Sequence, residues 1–188
     1  MTNNNFNSVY YANEIWVAGD GVSSNGLYYS TNGITWTQSN VTNGNFRTIY
    51  YANGIWVVGS AGNGIYYSTD GITWNQSDMI NGDFRNVHYS NGIWVATSSN
   101  GLYYSTDGIK WTQSNMTSDD FNKLYYANGI WITGGGGTGL YYSTNGMTWT
   151  QSNITNGYVG SIYYSNGIWV SSSTGSGLRY STDGMTWT

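Results

Sequence analysis

The sequence predicts an all-β protein made of five like units set around an axis, and three observations carry that prediction. Tryptophan recurs in two interleaved series: Trp16, Trp56, Trp94, Trp131 and Trp169 in an Ile-Trp pair, and Trp36, Trp74, Trp111, Trp149 and Trp187 in a Thr-Trp or Lys-Trp pair. The steps are 40, 38, 37 and 38 residues in the first series and 38, 37, 38 and 38 in the second, a period that marks a repeat architecture. Between the tryptophans lie short runs of Tyr, Thr, Ile and Val punctuated by Gly and Asn, which is strand-and-turn chemistry. Asn-Gly pairs such as Asn53-Gly54 separate successive runs and signal two-residue type I′ hairpins, in which both residues need positive φ. Four-stranded antiparallel units repeated about an axis make a β-propeller, here five-bladed with about 38 residues per repeat. Hairpins that reverse the chain in every unit argue against a parallel β-helix, and the period-two patterning excludes a helical solenoid.

The second unit, Phe46 to Asp83, gives the elements in order. Residues 46–52 form a first strand and Asn53-Gly54 the hairpin turn; residues 55–60 return. A Gly-rich connection leads to a third strand over 64–68, residues 69–71 turn, and 72–77 form a fourth strand. Strict alternation would put Ile49 and Tyr51 on one face of the first strand and Phe46 and Tyr50 on the other. Apolar residues on both faces suit the innermost position. Phe6, Phe46, Phe84, Phe121 and Val159 each precede the first-series Trp by 10 residues, and Leu27, Ile65, Leu102, Leu140 and Leu178 precede the second-series Trp by 9. Length varies only between strands two and three, where 11, 9, 8, 9 and 9 residues separate the Trp from that Leu or Ile. The chain reads as one domain over 1–188, with blades at about 1–43, 44–81, 82–118, 119–156 and 157–188. Ring closure would rest on packing of the fifth blade against the first, and the terminal blades should fray first.

The turn before each second-series Trp reads STNGITW (30–36), STDGITW (68–74), STDGIKW (105–111), STNGMTW (143–149) and STDGMTW (181–187). It resembles the Asp-box, or bacterial neuraminidase repeat, of sialidase-like propellers, with the turn one residue shorter than the usual S-x-D-x-G-x-T-W. The resemblance implies a propeller fold and a secreted or virion-associated context. It also implies a structural role for Asn32, Asp70, Asp107, Asn145 and Asp183, remote from any catalytic centre. Asn and Asp serve interchangeably here, which suits a hydrogen-bond acceptor and not a calcium ligand. No metal and no cofactor is expected.

Composition excludes several function classes. Charged residues make up 7% of the 188 residues and the formal net charge is -4, which lacks the basic face that nucleic acid requires. No apolar run is long enough for membrane insertion. There is no cysteine, hence no disulfide framework or thiolate metal site. The start, Met1-Thr2-Asn3-Asn4-Asn5, shows no basic stretch followed by an apolar one, so no signal peptide is expected.

Catalytic constellations are also missing. Three arginines, Arg47, Arg85 and Arg179, raise the question of a sialidase triad, but Arg179 belongs to a third strand and the others to first strands. The only Glu is Glu14, in a turn that is Asn-Gly in every other unit. His88 stands alone where other units carry Tyr10, Tyr50, Tyr125 and Tyr163, the pattern of a core or channel substitution. The run 134–139, GGGGTG, joins two strands and has no Lys, unlike a phosphate loop.

The leading expectation is therefore a non-enzymatic, lectin-like carbohydrate-binding protein with several equivalent interblade sites. Glycans would be its partners, the chain a monomer, and Asn40, Asp78, Asn115, Asn153, Arg47 and Arg85 the polar lining. The alternative is a structural scaffold, recently duplicated, reconstructed or engineered, without a dedicated ligand.

Overall fold

The computed structural model describes residues 5–22, 25–175 and 177–188. Residues 1–4, on which the reading of the chain's start rests, lie outside these, as do residues 23–24 and 176 in the connections of variable length. The described residues form strands and turns without a helix, so there is none to cross a membrane.

The first unit runs β1 (Phe6–Ala12), β2 (Ile15–Asp20), β3 (Leu27–Ser30) and β4 (Thr37–Gln38). The second has β5 (Asn45–Ala52), β6 (Ile55–Ala61), β7 (Ile65–Ser68) and β8 (Asn75–Gln76). The third has β9 (Phe84–Ser90), β10 (Ile93–Ser98), β11 (Gly101–Ser105) and β12 (Thr112–Gln113). The fourth has β13 (Phe121–Ala127), β14 (Ile130–Gly137), β15 (Leu140–Ser143) and β16 (Thr150–Gln151). Then follow β17 (Gly157–Ser165), β18 (Ile168–Thr174) and β19 (Gly177–Ser181), and Thr188 exchanges two backbone hydrogen bonds with Tyr180, 2.9 and 3.0 Å. The first three units are separate four-stranded antiparallel sheets; the fourth and fifth merge into one seven-stranded sheet. The merger is a short antiparallel pairing, Gly136 with Tyr158 and Gly137 with Gly157. The glycine run explains it: β14 can extend, and a side chain at Gly135 would strike the Asp120 carbonyl.

The predicted hairpin turns are present. Asn53 and Gly54 have φ of 51° and 78°, and the other Asn-Gly pairs match them. Glu14 holds φ of 63° after Asn13 at 46°, a left-handed conformation that disfavours a side chain.

Two details depart from the sequence reading. The fourth strands contain two residues, Asn75–Gln76 in the second unit, where six were expected. Residues 69–73 curl instead around the Ser68 hydroxyl and the Asp70 carboxylate, and the Trp74 amide is bonded to a side chain of the preceding unit. Phe46 also lies on the Ile49 face and not on the Tyr50 face, in one core cluster with Ile49 and Tyr51. A register shift between Phe46 and Thr48 is the cause: the extra residue reverses the alternation of side chains. The same irregularity recurs in the other first strands.

The core sits between units, not inside them. Val17, Leu27 and Val41 of the first unit pack on Phe46, Ile49, Trp56 and Trp74 of the second. Equivalent clusters fill the next three junctions. The first strands touch in chain order, β1 to β5, β9, β13 and β17, which places them innermost. The expected closure of the fifth unit on the first is not observed: β17 makes no comparable contact with β1 among the described residues. The units thus form an arc with two open end faces. Val9 is 58% exposed where its counterpart Ile49 is 6% exposed, and Leu178 is 76% exposed where Leu27 is fully buried.

Candidate functional site

The residues expected to line sugar sites lie at the four junctions between units, and each is bonded within the protein. The Asn40 side chain accepts from the Trp74 amide at 2.8 Å and donates to the Trp74 carbonyl at 2.8 Å. Asn115 holds Trp149 the same way at 2.8 and 2.9 Å, and Asn153 holds Trp187 at 2.8 Å in both directions. Asp78 can only accept, and takes the Trp111 amide at 3.0 Å. These four side chains form latches. Each satisfies backbone groups that the shortened fourth strand would leave without a ladder partner. A signal for them was in the sequence: Asn or Asp recurs 33 or 34 residues ahead of the second-series Trp that it holds.

The two remaining expected residues meet at one carboxylate. Arg47 lies 3.0 Å and Arg85 3.3 Å from Asp83, and Arg85 also pairs with Asp120 at 2.7 Å. Arg47, Asp83, Arg85 and Asp120 so make an alternating ladder across the two junctions of units two to four. The next rung is neutral, with Asn122 donating to the Tyr158 hydroxyl at 2.8 Å. Arg179 is on β19, away from the ladder, and shares no carboxylate among the described residues. The three arginines therefore do not converge.

The five turn residues are arranged alike. The Asp70 carboxylate accepts from the Ser68 hydroxyl and the Ile72 and Thr73 amides, each at 2.8 Å. Asn32 accepts from the same three positions at 2.9 to 3.1 Å. Asp107, Asn145 and Asp183 repeat the pattern. Partial burial raises the pKa of the Asp70 and Asp107 carboxyls, but the bonds they accept outweigh it and hold both below the usual carboxylate range. At Asp183 the Thr186 and Met185 amides lead in the same direction. A Cβ on the turn glycine Gly71 would press on the Trp56 indole at 3.1 Å, so the turn is packed onto the first Trp of its own unit.

His88 lies in the innermost row of rings. Its ring is 4.7 Å from that of Tyr50 and meets Trp131 edge-on at 5.6 Å. Burial lowers its pKa to about 4, so near pH 7 it is a neutral packing group. Among the described residues its hydrogen-bonding side-chain partner is Ser90, 3.2 Å from Nε2. No cluster of three or more potential metal ligands occurs among the described residues. Among the described residues the arrangement offers hydrogen bonds and ion pairs between units.

No protein-family model and no curated protein sequence matches the chain. Solved structures do. The computationally designed Ika8 protein matches with a TM-score of 0.73 and 11% identity, over 93% of this chain and 57% of that one. The GH74 enzyme of Niastella koreensis matches with a TM-score of 0.65 and 22% identity, over 97% of this chain and 31% of the enzyme. YCF48, solved with a D1 peptide, matches with a TM-score of 0.71 and 14% identity, over 100% of this chain and 68% of that one. At these identities the likeness concerns the fold alone. The chain spans little more than half of Ika8 and under a third of the GH74 enzyme.

Proposed function

We propose that this β-propeller-type protein is a non-enzymatic structural scaffold of five propeller units with Asp-box-like turns. The observation that carries the reading is the employment of its recurring polar groups. Asn40, Asp78, Asn115 and Asn153 hold the backbone of the next unit, and Arg47 and Arg85 are joined through Asp83. Groups that recur for assembly need no ligand to explain them. The near-identity of the units fits a recently duplicated, reconstructed or engineered chain, and designed proteins are among its structural neighbours.

The competing reading is a multivalent lectin, whose weak sites would gain strength by acting together. A glycan-array screen separates the two, with heat-denatured chain as the control. The scaffold reading expects a blank array from folded protein. Selective binding to a related set of sugars would replace it with the lectin.

A further inference from the structure

The two open ends of the arc are the two halves of one junction. At each internal junction a Phe or Val, an aliphatic residue and two Trp of the later unit are buried on a Val or Ile and a Leu or Ile of the earlier one. Among the described residues no other unit lies against the later half carried by the first unit: Phe6 and Val9 are exposed, and Trp16 and Trp36 only partly covered. Among the described residues no other unit lies against the earlier half carried by the fifth unit: Ile168, Val170 and Leu178 are exposed. The ring row is interrupted in the same way, since the Tyr125 ring meets that of Tyr163 in a tilted contact at 5.6 Å while Tyr163 itself is exposed.

We propose that the fifth unit of one copy of this chain docks on the first unit of a second copy, head to tail, reproducing the internal junction between molecules. The occupant follows from residue type. What covers Phe46, Ile49 and Trp56 inside the molecule is a Val17 and Leu27 face, and the fifth unit presents that face as Val170 and Leu178. Contiguous apolar surface of this kind marks an interaction site, and a heterologous contact propagates unless its rotation closes a ring. Val9 and Leu178 face solvent in the single chain, so charging them leaves the internal core intact.

The test is sedimentation velocity on the purified chain over a wide concentration range, with variants Val9→Asp and Leu178→Asp. Near-ultraviolet dichroism verifies that both variants are folded. The proposal expects reversible association of the parent chain and about 100-fold weaker association of each variant. An equimolar mixture of the two variants should form dimers and stop there, because each supplies one intact half. A parent chain that stays monomeric throughout would overturn the proposal, as closure on itself would. Association that survives both substitutions would also overturn it and point to pairing of the outer strands. Neither result depends on glycan binding, so failure here is distinct from failure of the scaffold reading.

Discussion

Trp94 and Trp16 occupy the same position in their units, each paired with the serine that ends the third strand, yet Trp94 is fully buried and Trp16 is not. The difference lies in the neighbour. Trp94 is covered by Ile55, Val57 and Ile65 of the unit before it, and no such cluster covers Trp16 among the described residues. Burial here belongs to a junction and not to a unit, so equal residues contribute unequally to stability. This is the behaviour of a one-dimensional array, in which interface terms between neighbours dominate.

The contrast can be broken most directly at the tryptophans themselves. Trp94→Ala should cost about 3–5 kcal/mol in urea unfolding, the usual range for a fully buried ring. Trp16→Ala should cost only about 1–2 kcal/mol, since much less apolar area leaves water. Equal losses would mean that the first unit is covered in solution, by closure or by another molecule.

The next effect compares the third unit with the rest. The folded pKa of His88 is lowered to about 4 from 6.5, so the unfolded chain binds the extra proton first as pH falls. Stability from this residue is complete above about pH 6.5 and is lost as pH falls towards 4, on the order of 3 kcal/mol in all. The groups packed around the ring are Tyr50, Trp131 and the Ser90 hydroxyl, none of which titrates in that window. His88→Tyr restores the residue of the other units and should flatten the melting temperature between pH 6.5 and 4.5; a persistent slope would place the sensitivity elsewhere.

A latch is worth less than a ring. Asn115→Ala leaves both backbone groups of Trp149 without their partner and should cost about 1–3 kcal/mol. Asn115→Asp keeps the acceptor, as Asp78 does naturally, and should recover part of that loss. Equal melting temperatures for the parent chain and Asn115→Ala would show that water replaces the latch at no cost.

The smallest effect is a gain. Glu14 adopts φ of 63° where the other units place glycine, and Glu14→Gly should stabilise by about 1 kcal/mol. A lower melting temperature would show that the Glu14 side chain has a favourable role that its turn position conceals.

Much of this architecture was legible in the sequence because it is local. The Asn53-Gly54 turn, the strand alternation and the serine-centred turn each depend on residues a few positions apart. The reversed face of Phe46 was not legible, because an inserted residue inside a strand carries no compositional mark. The fourth strand misled for a related reason: its residues have strand propensity, but the Ser68 hydroxyl and Asp70 carboxylate capture the amides first. The latch role of Asn40 is not local either, since its partner, Trp74, is 34 residues away. The open arc was hidden too, since closure depends on the small rotation between successive units, summed over four junctions, and no single residue fixes it.

The latches have a consequence for how such a chain changes in length. Each one ties a side chain of one unit to a backbone position of the next, so any segment cut between two like points carries one complete connection with it. Copying that segment lengthens the arc by one step and leaves the two end faces chemically as they were. Deleting it shortens the arc and opens nothing new. Unit number is thus a free variable of this molecule, open to recombination between its own near-copies, while the chemistry of its ends stays constant.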